Sequence, residues 1–202
     1  MPDFSIEQAL STRPVAGIDE AGRGPWAGPV VAAAVMFQSP IRMDGLNDSK
    51  LVTPTRRTAL YEQIMTHCLV GIGHAEAQEI DALNIWRATE RAMQRAVEAL
   101  PCPPAFVLVD GNRVPDGLPC PARAVIGGDG VSASIAAASI IAKVTRDRWM
   151  VEYAARYPEY GFDRHAGYGT AQHREALASH GICPIHRRSF APIRAMLEAE
   201  AV

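Results

Sequence analysis

The stretch V-A-G-I-D-E-A-G-R-G-P-W-A-G-P-V-V-A-A-A-V-M-F, residues 15–37, constrains this chain more than any other. It reads as a short apolar strand, Val15 to Ile18, that delivers Asp19 and Glu20 into a glycine-rich loop. A second apolar strand follows from Val30 to Phe37. Adjacent acids are poor strand formers, so strand packing does not account for them. Gly22, Gly24 and Gly28 let backbone approach another molecule or take positive φ. Arg23, between two of them, is a cation suited to a phosphate. Acids able to hold a metal, beside an arginine and amides able to hold a phosphate, point to phosphodiester chemistry. A solvated turn is the plain alternative for this stretch alone.

The 202 residues suit one α/β domain with an appended segment, a core of about 1–158 and an extension of about 159–202. With 48% apolar residues, disorder is excluded. No apolar run approaches the ~20 residues of a membrane span. The first ten residues carry two acids and no Lys or Arg, a poor signal peptide. Cys68, Cys102, Cys120 and Cys183 are scattered without a C-x-x-C pair, which points to reduced thiols and a cytoplasmic protein. Cys183-Pro-Ile-His186 has the spacing of half a zinc site but lacks a second half, and reads as structural.

A net charge of −2 is unpromising for a nucleic-acid binder until the chain is divided. Residues 1–142 carry 11 Lys and Arg against 15 Asp and Glu, whereas residues 143–194 carry 9 against 5. The acidic part holds the candidate metal ligands, and the basic part is able to grip a polyanion. Arg187 and Arg188 are then candidate contacts to a substrate backbone, with a solvated or structural role as the alternative.

Past Phe37, the L-N-D-S-K segment leads to Thr53-Pro54, an N-cap with proline at the first helical position. Leu60, Ile64 and Cys68 mark the buried face of that helix. A third strand from Leu69 to Ala75 completes an antiparallel meander. One long helix is expected over about Gln78–Leu100, with Arg87, Arg91 and Arg95 on a solvated face. Phe106–Arg113 reads as a buried strand ending at Asp110, so a carboxylate again stands where a strand runs out. A fifth strand, Ala122–Ile126, precedes G-G-D-G with Asp129, just before an Ala-rich helix from near Ser132 to about Arg156. Asp147 within that helix, between Arg146 and Arg148, reads as an ion-pairing surface acid. Tyr168 stands between two glycines, exposed in a loop, and Thr170 caps a short helix closed by Gly181. A basic turn at His186–Ser189 precedes a last helix with Pro192 near its start.

These motifs, G-I-D-E-A-G-R-G-P, D-S-K, V-D-G-N-R, G-D before A-A-S-I-I-A-K-V-T-R-D, and G-Y-G-T, resemble bacterial ribonuclease HII in the same order over nearly the whole chain. The resemblance implies a ribonuclease H-like α/β fold: a five-stranded mixed sheet flanked by helices, with a C-terminal helical extension. It implies metal-binding acids at Asp19, Glu20, Asp110 and Asp129. It also implies a phosphate- and ribose-sensing loop at Gly22, Arg23 and Gly24, a phosphate contact at Lys50, and a sugar-stacking ring at Tyr168. The implied cofactor is Mg²⁺ or Mn²⁺, since hard carboxylate oxygens suit both, in a two-ion arrangement about 3.5–4 Å across. The implied partners are RNA–DNA hybrid and DNA duplex containing ribonucleotides, handled by a monomer and cut to 5′-phosphate and 3′-hydroxyl ends. The chain departs from the family pattern at Gly127, Ala166 and Leu51, positions where lysine is common. Each departure loses a cation near the substrate path and none removes a proposed catalytic group. A non-catalytic hybrid-binding module is the rival from another class, but a binder gains nothing from clustering carboxylates against phosphates. Another nuclease on the same fold is opposed by Gly22-Arg23-Gly24 together with Tyr168.

Overall fold

A computed structural model describes residues 1–200; the last two residues of the expected 1–202 unit lie outside the described ones. In chain order the elements are α1 (Ser5–Gln8), β1 (Val15–Ala21), β2 (Val30–Phe37), α2 (Pro54–His67), β3 (Cys68–Ala75), α3 (Ala77–Leu83) and α4 (Ile85–Glu98). They continue with β4 (Phe106–Asp110), β5 (Ala122–Val125), α5 (Ala133–Arg156), α6 (Phe162–His165), α7 (Ala171–His180) and α8 (Ala191–Glu200). The sheet order is β3-β2-β1-β4-β5, with β1, β2 and β3 antiparallel and β4 and β5 parallel to β1. This is the mixed five-stranded sheet that the resemblance implies.

Two helices cover the two faces of the sheet, and strand alternation decides which residue meets which. Ala16 and Ile18 of β1 pack with Val107 and Val109 of β4 against the α4 side, among Ala88, Ala92, Met93, Ala96 and Val97. Val15 and Leu108 face the other way, onto Ile135 of α5. The approach of α4 to β3 is backbone-close. A Cβ on Gly71 would stand 2.1 Å from the Ala96 carbonyl oxygen, and one on Gly73 would stand 2.2 Å from that of Ala92. These strand glycines are therefore fixed by packing.

The caps behave as their residue types dictate. The hydroxyls of Thr53, Ser132 and Thr170 accept from the backbone N–H groups of Arg56, Ile135 and His173. The single helix expected over Gln78–Leu100 is instead two, α3 and α4, divided at Asn84. Asn84 takes φ 71°, and its Oδ1 accepts from the N–H groups of Trp86 and Arg87 at 3.0 and 3.1 Å. A short amide side chain that satisfies two helix-start donors stabilises a new N-terminus there.

The C-terminal elements pack around Tyr160, Phe162, Leu177, Cys183, Ile185 and Ile193. Ala27, from the loop between β1 and β2, is buried in the same cluster. No described helix is long and apolar enough to cross a membrane.

Candidate active site

Register and pleat bring the acids together. β1 and β4 pair in parallel up to Ile18 opposite Val109, so Asp19 and Asp110 follow side by side where that pairing stops. Asp19 shares the pleat face of Val15, and Asp110 that of Leu108, so both point toward α5. The third acid, Asp129, arrives on the 3-10 turn Gly128–Gly130 just ahead of α5. Asp110 Oδ1 accepts from the Gly128 N–H at 2.7 Å and the Asp129 N–H at 3.4 Å, which ties that turn to the end of β4. One carboxylate oxygen from each of Asp19, Asp110 and Asp129 lies within 4.8 Å of the others.

Burial, then the charges of Glu20 and Asp110, push the Asp19 carboxyl well above the usual range. Burial and the fields of Asp110 and Asp48 raise Asp129 as well. Three crowded acids, Asp19 buried and Asp110 and Asp129 partly so, repel one another, and hard divalent cations relieve both the repulsion and the lost hydration. The donor set therefore fits Mg²⁺ or Mn²⁺ by its chemistry.

Glu20 departs from the expected four-acid cluster. The acids lie inside β1, which stays paired with β2 as far as Ala21, and the pleat sends neighbours to opposite faces. Glu20 Oε1 instead accepts from Arg23 Nη1 at 3.2 Å, and the Arg23 guanidinium lies 4.9 Å from the Trp86 ring centre. Burial raises the Glu20 carboxyl, while Arg23 pulls it back down.

Lys50 lines the cleft beside the trio. Burial opposes its charge, but the fields of Asp48, Asp19, Asp129 and Asp110 outweigh that and raise its pKa. The turn carrying it is pinned to α5 by a 2.9 Å bond from the Ser139 hydroxyl to the Ser49 hydroxyl. Gly22, Arg23, Gly24, Lys50 and Tyr168 line one cleft with Asp19 and Glu20. Asp147 lies outside that cleft lining, in an ion pair with Lys143 at 2.6 Å and a longer one with Arg57 at 3.8 Å.

Tyr168 is 49% exposed, and a chain of neutral histidines behind it fixes its backbone. The Cys183 N–H donates to His186 Nδ1 at 2.9 Å, so that nitrogen is an acceptor and the proton of His186 sits on Nε2. His186 Nε2–H then faces His173 Nε2 at 2.9 Å, leaving His173 Nδ1–H to donate to the Tyr168 carbonyl at 3.0 Å. Burial holds both histidines down to about 4, which keeps the relay uncharged at neutral pH. The Cys183-Pro-Ile-His186 spacing thus serves a structural turn, as its lone half-site suggested.

Arg187 takes the structural alternative. It is fully buried, and its guanidinium donates to the carbonyls of Gly22, Arg23 and Gly28. Carbonyls from a loop some 160 residues away take one N–H from each of its three nitrogens, and its burial keeps it from a phosphate. Arg188 is exposed, and its backbone N–H donates to Asp81 Oδ2 at 2.9 Å. Sequence reasoning missed Trp86, Ser139, Arg146 and the histidine pair. Only Ser139 and Arg146 carried a signal, since both fall in the A-A-S-I-I-A-K-V-T-R-D motif.

Comparisons with known proteins agree with this geometry. The family model described as Ribonuclease HII matches residues 16–193. A ribonuclease HII of Maricaulis maris is 57% identical over 185 residues, covering 92% of this chain and 85% of its own. The solved ribonuclease H2 from Pyrococcus horikoshii OT3 superposes with a TM-score of 0.76 at 28% identity, over 92% of this chain and 97% of that one. Bst-RNase HIII in complex with Mn²⁺ shares the fold, with a TM-score of 0.68 at 19% identity over 98% of this chain and 74% of that one. With the acids gathered at the end of β1 and β4 and a family match across most of its length, the chain belongs to the ribonuclease HII family, metal-dependent endoribonucleases that hydrolyse RNA in RNA–DNA hybrids.

Proposed function

We propose that the chain also cuts duplex DNA on the 5′ side of a single embedded ribonucleotide, leaving 5′-phosphate and 3′-hydroxyl ends. The observation that carries this reading is the convergence of Asp19, Asp110 and Asp129 within 4.8 Å, beside a cleft lined by Gly22–Gly24 and Tyr168. Asp19, Asp110 and Asp129 would hold Mg²⁺ or Mn²⁺, with Glu20, which lines the same cleft as Asp19, as the fourth acid of the site. When bound, a pair of such ions supplies an activated water and charge to offset the leaving oxygen. Mn²⁺ in Bst-RNase HIII is in keeping with this donor set.

The protein's own groups do the selecting. Lys50 faces a phosphate in the cleft it shares with Arg23. Backbone groups of Gly22, Arg23 and Gly24 contact the ribose 2′-hydroxyl, the feature that separates RNA from DNA. Tyr168 packs on the next sugar, where a missing 2′-hydroxyl leaves room for its ring. The protein acts as a monomer, with the described residues from 159 onward as an integral extension of one domain.

The test is a labelled duplex with one ribonucleotide, run beside an all-DNA duplex and a continuous RNA–DNA hybrid, with and without Mg²⁺. A single metal-dependent cut 5′ of the ribonucleotide is expected. A hybrid that is cleaved while the single-ribonucleotide duplex stays whole overturns the junction-reading model.

A further inference from the structure

Two arginines lie beneath the glycine loop, Arg146 on α5 and Arg187 just ahead of α8, at 1% and 0% exposure. A buried guanidinium ordinarily meets a carboxylate. Here the recorded side-chain bonds of both end on backbone carbonyls. Arg187 Nη2, Nη1 and Nε donate to Gly22 at 2.6 Å, Arg23 at 2.9 Å and Gly28 at 2.9 Å. Arg146 Nε, Nη1 and Nη2 donate to Pro29 at 2.9 Å, Ala166 at 3.0 Å and Ala27 at 3.1 Å. The loop also lies flat on Arg146: a Cβ on Gly22 would stand 1.9 Å from its Nε.

Peptide geometry turns these bonds into an orientation. In a planar trans peptide the carbonyl of one residue and the N–H of the next point in opposite directions. Arg187 draws the Gly22 and Arg23 carbonyls inward, so the N–H groups of Arg23 and Gly24 face away from it. Neither N–H donates to any described residue. Gly22, Arg23 and Gly24 line the cleft shared by Asp19, Lys50 and Tyr168.

We propose that Arg187, supported by Arg146, is the positioning residue for ribose discrimination, its fork holding two carbonyls inward so that the Arg23 and Gly24 N–H groups stand as a fixed donor pair toward the 2′-hydroxyl. The proposal rests on the reading that this loop senses ribose. A rigid guanidinium fork holds two adjacent carbonyls in one geometry, which the point charge of a lysine does not. Donors fixed before binding need no reorganisation when substrate arrives.

The experiment uses the full chain in Ca²⁺, which supports binding without turnover. Dissociation constants are measured for a duplex with one ribonucleotide and for the same duplex in all DNA. Wild type is expected to prefer the former; equal affinities would overturn the ribose-reading function itself. Arg187→Lys is expected to lose roughly tenfold of that preference, the worth of a misplaced hydrogen bond, with all-DNA affinity unchanged within about twofold. A folded variant that keeps the wild-type preference, or weakens both duplexes alike, overturns the positioning role while the wild-type reading stands. Should Arg187→Lys fail to fold, amide exchange on wild type decides. Protection of the Arg23 and Gly24 N–H groups by the ribonucleotide duplex and not by all-DNA supports the proposal, and any other pattern overturns it.

Discussion

The Cε1 edge of Tyr168 stands 3.4 Å from the point where a Cβ on Gly24 would lie, so ring and loop meet in one wall of the cleft. The two groups proposed to read adjacent sugars thereby share one wall although they lie far apart in sequence. Truncating the ring as Tyr168→Ala is expected to slow cleavage at a single ribonucleotide roughly tenfold or more, the scale of a lost stacking platform. Tyr168→Phe, which keeps the ring, is expected to stay within a few-fold. Single-turnover rates on the one-ribonucleotide duplex check both.

Asp110 belongs to the acid trio and also braces the turn bearing Asp129. Asp110→Asn keeps its shape but removes a ligand charge, so cleavage is expected to fall by roughly 10²–10³ or more. Asp147→Asn removes only the pairing with Lys143 and Arg57 and is expected to remain within a few-fold. The two variants are compared in Mg²⁺ on a continuous hybrid. Asp129→Asn is expected to fall with Asp110→Asn; an active Asp129→Asn beside an inactive Asp147→Asn would move the fourth acid to Asp147.

Crowding buried acids makes the metal-free protein less stable than its packing permits. Asp19 carries the largest burden, being buried beside Glu20 and Asp110. Asp19→Asn is expected to raise the metal-free Tm by about 2–4 °C, the response to ~1 kcal/mol at this chain length, while removing activity. Mg²⁺ is expected to raise the Tm of wild type and to do much less for the variant. Thermal melts with chelator and with Mg²⁺ measure both.

The histidine relay gives stability a pH slope of known sign. His173 and His186 titrate near 6.5 when unfolded and are held down to about 4 when folded. Between those values the unfolded chain binds more protons, so their contribution is full above 6.5 and is lost as pH falls toward 4. Denaturant melts from pH 7 to pH 4.5 are expected to show this loss. In His186→Asn, stability at neutral pH is lower and the slope shallower.

The sheet and three of the four acids were legible because their signals are local. Val15–Ile18 and Phe106–Val109 are apolar runs that each end in an acid, and register then places those ends together. Glu20 was legible as an acid but not as to its direction, although the period-two rule for β1 already sends it opposite Asp19. The break at Asn84 was hidden because the apolar positions on either side keep a helical spacing while one amide restarts the hydrogen bonding. The motif drew the eye to Arg146, but the bonds of the two buried arginines were unreadable from local pattern. Their partners are carbonyls, which every residue has, and five of the six lie more than a hundred positions away.

That separation gives the molecule a timetable. A chain made from its N-terminus releases Gly22 165 residues ahead of Arg187, an interval of roughly 8–33 s at about 5–20 residues per second. Asp19, Asp110 and Asp129 have all emerged before the arginine that braces the loop. The hold of Arg146 on Ala27 and Pro29 therefore becomes possible before that of Arg187 on Gly22 and Arg23, and the two braces of one loop are supplied in that order.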